Sequence, residues 1–228
     1  MNDIIQHLPE LISGLGVTLA LMFSALVPAI ILALLLTPAA RSKHLWLSLP
    51  VDGFIFFMRG TPLLVQIFLI YYGSAQFEWV RASFLWVALR EPFACATIAL
   101  ALNSCAYTIV LLKGAIQSVP REEITACYAL GMSQFLTFWR ITLPRAIRII
   151  LPAYSNEVVI ILKSTSLANT ITILDLMGVT NKIAGETYAV IPFLFIAGAI
   201  YLALNFVILS AFRSLEKRAN VYLYQASQ

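Results

Sequence analysis

Five long apolar runs divide the chain, at about 11–36, 53–72, 92–112, 147–167 and 190–212. Each is close to the roughly 20 residues a helix needs to cross a bilayer, so the pattern predicts five membrane-spanning helices. Pro38, followed by Arg41, Lys43 and His44, closes the first run. The second carries Arg59 and Pro62 in its early part, and the fourth holds Pro152, Asn156, Glu157 and Lys163. Arg213 ends the fifth. Residues 1–10 contain Asp3 and Glu10 but no Lys or Arg. The basic segment of a cleaved signal is missing there, and the first run is expected to persist as a helix.

Composition agrees. Of the 228 residues, 61% are apolar and 11% charged, with a mean hydropathy of +0.88. A soluble globule of that make-up would expose large apolar patches, and disordered chains are poor in apolar residues. What remains is an integral membrane protein with no length left for a separate catalytic domain. The net charge of +4 does not point to nucleic acid, because the basic residues are scattered and form no dense stripe. Cys95, Cys105 and Cys127 lack metal-ligand or CxxC spacing, and an odd number cannot all pair within one chain; Cys95 and Cys105, inside an apolar run, read as small hydrophobes.

The scattered charges are informative once placed between the runs, since cytoplasmic loops carry the excess of Lys and Arg. None precedes the first run, whereas Arg41 and Lys43 follow it. Arg81 and Arg90 in the next loop are offset by Glu78 and Glu91. Lys113, Arg121, Arg140 and Arg145 fill the third loop, with Arg148 at the next membrane edge. Lys182 stands alone in the fourth, and Arg213, Lys217 and Arg218 follow the last run. Rich and poor segments alternate, which predicts the N-terminus outside and the C-terminus inside. The expected division is an extracytoplasmic tail at 1–10, a membrane domain at 11–213 and a cytoplasmic tail at 214–228. An odd number of spans without an internal repeat suits a unit that lines a pathway with a second copy or a related chain.

The inside loop at about 118–144 is too long for a bare connector. Ser118 as a cap, Pro120, and the early acids Glu122 and Glu123 signal a helix start. Ile124, Cys127 and Tyr128 share one helical face, and Gly131 suits a left-handed end. A second short helix, 135–143, is expected to stop at Pro144. The pattern alone also fits an amphipathic hairpin on the lipid surface.

Ala126, Gly131, Ile141, Leu143 and Pro144 resemble the signature loop of ABC importer membrane subunits: Glu-Ala-Ala, three residues, Gly, nine residues, Ile, one residue, Leu-Pro. The triplet is only partly kept, as Thr125-Ala126-Cys127, and Glu122 or Glu123 are candidates for its acid one turn earlier. Arg59 to Gln66, Leu102 to Thr108 and Tyr154 to Val158 resemble the branch that carries histidine, arginine, lysine, ornithine and glutamine, closest to arginine and histidine permease subunits. The resemblance implies an all-α membrane protein, a type I ABC importer transmembrane domain whose inside loop is a coupling helix docking on a separate ATPase. It further implies a second permease chain, an ATPase dimer that binds ATP and Mg, and an outside amino-acid-binding protein. No cofactor or metal falls to this chain. Lys163-Ser164-Thr165 lacks the glycines of a phosphate loop.

A carboxylate inside a span costs about 2.5–3.5 kcal/mol and should face protein or water. Glu157 lies nine residues beyond Arg148, roughly 13 Å of helix rise, which is near mid-membrane. It suits the ammonium or guanidinium of a basic amino acid. The rival role is a structural acid paired with Lys163, although six residues place the two about 240° apart around a helix. Asn103 and Tyr107 stand one above the other, as do Ser104 and Thr108. The resemblance turns Asn103 toward substrate and adds Thr61 as a contact. Ser155 and Asn156 beside Pro152 are expected at a kink that opens carbonyls toward a cavity. Arg59 either snorkels to headgroups or guards the cytoplasmic mouth. The outer loop 170–190, with Asp175, Gly178 and Glu186, is implied by the resemblance to hold a gate helix and a docking surface. Outside this family, the alternative is a homo-oligomeric channel with Glu157 lining its pore.

Overall fold

The structure, a computed structural model, describes residues 2–219, so part of the expected C-terminal tail, 220–228, lies outside the described residues. All regular elements among them are helical. Three helices are long and apolar enough to cross a membrane, and two bent pairs raise the number to five if each pair is one span. Helix α1 (Asn2–Ala40) runs through Pro9, Pro28 and Pro38 without a break. The stretch expected as an outer tail therefore continues the first helix, which at 39 residues is roughly 58 Å long.

The second apolar run is a bent pair rather than one rod. Helix α2 (Leu45–Gly60) begins eight residues earlier than its apolar run, and α3 (Leu63–Phe68) continues through a wide π-type turn, Leu69–Gly73. The two arms meet at 107°. Short helices α4 (Glu78–Arg81) and α5 (Trp86–Leu89) lead into α6 (Pro92–Gln117). Helix α6 is the hub, with 67% of its apolar window buried against 11% for α11 (Val190–Ala219). It packs against α1, α2, α3 and α9. Its buried face is built largely of Ala, Ser and Cys, small side chains that let helices approach closely. Cys95, Cys105 and Cys127 are buried free thiols.

Helix α7 (Arg121–Ala129) is the inside helix. After it, α8 (Gln134–Thr137), a π-type turn (Phe138–Thr142) and α9 (Leu143–Ser164) follow without interruption. Pro144 therefore does not stop a helix. The wide turn, in which Leu143 N–H donates to the Phe138 carbonyl, sets Pro144 in the first turn of α9, where a missing N–H costs little. Ser118 does not cap α7 either. Its hydroxyl donates backward to the Gly114 carbonyl at 2.9 Å and closes α6.

On the side remote from α7, the expected outer loop contains a packed helix, α10 (Leu176–Thr187), wedged against α1 and α11. Asp175, fully buried, accepts from Gly178 N–H at 2.9 Å and from the Tyr201 hydroxyl at 3.4 Å. Thr18 Oγ1 accepts from Leu176 N–H at 3.0 Å. A Cβ on Gly178 would sit 2.5 Å from the Ile173 carbonyl oxygen, so this position requires glycine. Lys182 bonds Glu10 at 3.1 Å and fastens α10 to the start of α1.

Candidate functional site

Two polar clusters lie among the apolar helices, and they differ in how completely their hydrogen bonds are made. The first fastens the bend between α2 and α3. Pro62 has no N–H, so the Met58 carbonyl four residues earlier loses its helical donor. Thr61 turns extended, at φ −111° and ψ 144°, as a residue before proline must. Side chains replace the missing donor. Gln66 Nε2 donates to the Met58 carbonyl at 2.8 Å, to the Thr61 carbonyl at 3.1 Å and to Thr61 Oγ1 at 2.8 Å. Asn103 Nδ2, from α6, donates to the Met58 carbonyl and to Gln66 Oε1, both at 3.1 Å. Thr61 Oγ1 donates to the Phe57 carbonyl at 2.8 Å. The amide of Asn103 and the hydroxyl of Thr61 are thus occupied in holding the bend.

The second cluster lies between α6 and α9, beginning at Ser104, the residue after Asn103. Glu157 on α9 is 4% exposed, with the Ser104 hydroxyl and the Arg59 guanidinium as polar neighbours of its carboxylate. The Arg59 guanidinium lies 4.9 Å from the centre of the Tyr107 ring, a cation–π contact. Asn103 and Tyr107 do share a face, and both point at the end of α2. Glu157 Oε1, Ser104 Oγ, Thr108 Oγ1 and Tyr154 Oη are all buried with no hydrogen-bond partner. Buried polar atoms are nearly always paired. These four unpaired atoms all lie on the packed helices α6 and α9.

The other expected residues are dispersed. Ser155 Oγ donates to the Pro152 carbonyl at 2.7 Å, and α9 is unbroken through Pro152. Asn156 faces outward from this chain. Lys163 is exposed on another face of α9, and no described carboxylate lies within 4 Å of it. It does not pair with Glu157.

The inside segment forms the helix and glycine turn that the spacing predicts, while the expected second short helix merges into α9. Met132 N–H donates to the Cys127 carbonyl and Gly131 N–H to the Tyr128 carbonyl, both at 3.0 Å. That is a Schellman end, with Gly131 at φ +78°. Cys127 is buried, Ile124 half-buried, and Glu122, Ala126 and Pro144 exposed. Ile141 and Leu143 are half-buried at the root of α9. Glu123 makes a two-pronged ion pair with Arg145 of α9, through Nη2 and, at 3.1 Å, through Nε. The guanidinium holds the Glu123 carboxyl below the usual carboxylate range. The pair joins α7 to the first turn of α9, the helix that carries Glu157.

Residues 29–221 match the family of binding-protein-dependent transport system inner membrane components, and the chain belongs to that family. It is 47% identical over 211 residues to the octopine transport system permease protein OccM of Rhizobium radiobacter, covering 92% of this chain and 86% of that one. Over 215 residues it is 46% identical to the arginine ABC transporter permease protein ArtM of Escherichia coli (strain K12), at 94% and 96% coverage. A chain in a crystal structure of an amino acid ABC transporter with histidines superposes with a TM-score of 0.85 at 30% identity, covering 94% of this chain and 96% of its own. An inward-facing MetNI methionine ABC transporter chain shares the fold at TM-score 0.72 and 14% identity. The chain is an all-helical type I ABC importer transmembrane domain, a multi-pass transport component.

Proposed function

We propose that this chain is the permease subunit of a binding-protein-dependent importer that carries a basic L-amino acid, among arginine, histidine, lysine and ornithine, across the bacterial inner membrane. Five crossings follow, by α1, the α2–α3 pair, α6, α9 and α11, with the N-terminus outside and the C-terminus inside. A second permease chain, identical or homologous, completes the pathway. A cytoplasmic ATPase dimer docks on α7, and a binding protein delivers substrate outside. The names of ArtM and OccM support the substrate class.

The observation that carries this reading is the buried, unpaired carboxylate oxygen of Glu157 beside Ser104 and Arg59. A cationic side chain entering there satisfies Glu157 by a charge-assisted bond. Ser104 and Tyr107 complete the wall, while Asn103, Thr61 and Gln66 hold it in shape. ATP-driven closure of the ATPases would pull α7, and through Glu123–Arg145 the lower end of α9, rocking Glu157 between the two sides.

Arginine uptake by reconstituted complexes tests the reading. Glu157→Ala is expected to assemble normally and lose uptake by about tenfold or more, the loss of one hydrogen bond to a charged group. Full uptake by an assembled Glu157→Ala complex would reject the site. An ATPase should also co-purify with the chain and be lost when 122–131 is altered.

A further inference from the structure

Two abutting chambers lie at the end of the bundle nearest α7, well away from Glu157. The larger, about 480 Å³, is apolar and lies between the ends of α1 and α6 and the π-type turn, walled by Leu34, Pro38, Leu112, Ile116, Phe138 and Trp139. The smaller, about 260 Å³, is lined by Ile124 and Tyr128 of α7 together with Gln134, Thr137 and Thr142. Arg41, Ile116 and Phe138 border both, so Arg41 stands at their junction.

Three features describe the occupant. The larger chamber has the size of a small-molecule site, roughly 300–1,000 Å³, yet offers little besides hydrocarbon contact. The smaller contains Thr137, only 1% exposed, whose Oγ1 has no hydrogen-bond partner. Among the described residues, no carboxylate lies within 4 Å of Arg41, Lys43 or Arg140, leaving three free cations at this end. An apolar chamber joined to a polar one across an unpaired guanidinium fits an amphiphile with an anionic head.

We propose that the paired chambers bind one anionic phospholipid of the cytoplasmic leaflet. Its acyl chain lies between Leu34, Leu112 and Trp139, its phosphate bonds Arg41, and its head reaches Gln134 and Thr137 beneath α7. The leaflet rests on the orientation proposed above. Because Ile124 and Tyr128 wall the polar chamber, the lipid joins the coupling helix to the membrane bundle and steadies the part that meets the ATPase. Basic pockets between helices on the cytoplasmic side are suited to such headgroups.

Photolabelling of the assembled transporter tests this without ATP or substrate, so its outcome is independent of the amino-acid reading. A phosphatidylglycerol carrying a diazirine in its acyl chain is compared with the same probe bearing a phosphocholine head, each in phosphatidylcholine vesicles. Label on the peptides spanning 34–41 and 138–143 is then quantified. The phosphatidylglycerol probe is expected to label them about fivefold more, the effect of one basic residue at an anionic lipid. Arg41→Gln should bring that ratio to one, and Arg41→Lys should keep most of it. Equal labelling by the two probes in the wild-type complex, or a preference that survives Arg41→Gln, overturns the proposal.

Discussion

The α2–α3 bend and the Glu157 cluster both draw polar side chains from one stretch of α6, yet they are finished differently. At the bend, Gln66 and Asn103 supply the Met58 carbonyl with the donor that Pro62 takes away, and Thr61 ties Gln66 in place. Beside it, Ser104 and Thr108 of α6 with Tyr154 and Glu157 of α9 keep buried polar atoms without partners. A saturated network raises stability and defines shape, whereas an unsaturated one costs stability; the proposed substrate would supply the missing partners. Asn103 and Ser104 are adjacent in sequence and fall on opposite sides of that division.

The contrast can be broken from either side. The largest stability effect is expected at the bend. Gln66→Ala leaves the Thr61 carbonyl without the side-chain donor shown, at about 1–3 kcal/mol per orphaned group. It should lower the thermal midpoint of the purified complex, whereas Glu157→Gln should leave that midpoint unchanged or raise it. Asn103→Ala should be destabilising in the natural chain and less so in combination with Pro62→Ala, since residue 62 would then offer Met58 an N–H. A double-mutant cycle should show coupling of at least about 0.5 kcal/mol, and additivity would dissolve the explanation of the bend.

Smaller effects belong to the inside segment. Gly131→Ala forces a side chain into the left-handed region, at about 1–2 kcal/mol, and should weaken ATPase co-purification more than it weakens folding. Glu123→Gln should shift overall stability by no more than about 1 kcal/mol, because the pair is partly exposed. It should nevertheless uncouple ATP hydrolysis from uptake. The Glu123 carboxyl titrates below its ordinary range because Arg145 bonds it. The tether is therefore complete above the ordinary carboxylate range and is lost as pH falls through the lowered value. Coupling measured against pH should fall on the acid side in the natural chain and lack that component in Glu123→Gln.

Hydropathy made the apolar runs legible because lipid-facing helices need long apolar stretches, and it made Glu157 conspicuous for the same reason. Gly131 was readable because its left-handed turn is a local matter. The start of α2 was not, since Trp46, Ser48, Pro50 and Asp52 interrupt its hydropathy. Pro62 announced a disturbance, but the side chains that hold the bend come partly from Asn103, 45 residues from Met58. Ser118 and Pro144 misled because each has two local uses, and the choice between them depends on the helix it joins. Asp175 looked like a loop acid, but it is buried beside Tyr201 of α11, with Thr18 of α1 bonding the next residue's N–H, both far away in sequence.

The central claim is that Glu157 selects a cation. The most direct measurement is the ratio of arginine to citrulline uptake, two substrates of nearly equal shape that differ in charge, in assembled wild-type and Glu157→Gln complexes. A wild-type preference for arginine of about tenfold or more, collapsing toward one in Glu157→Gln while citrulline uptake persists, is the predicted result. An unchanged ratio in an assembled Glu157→Gln complex would contradict it.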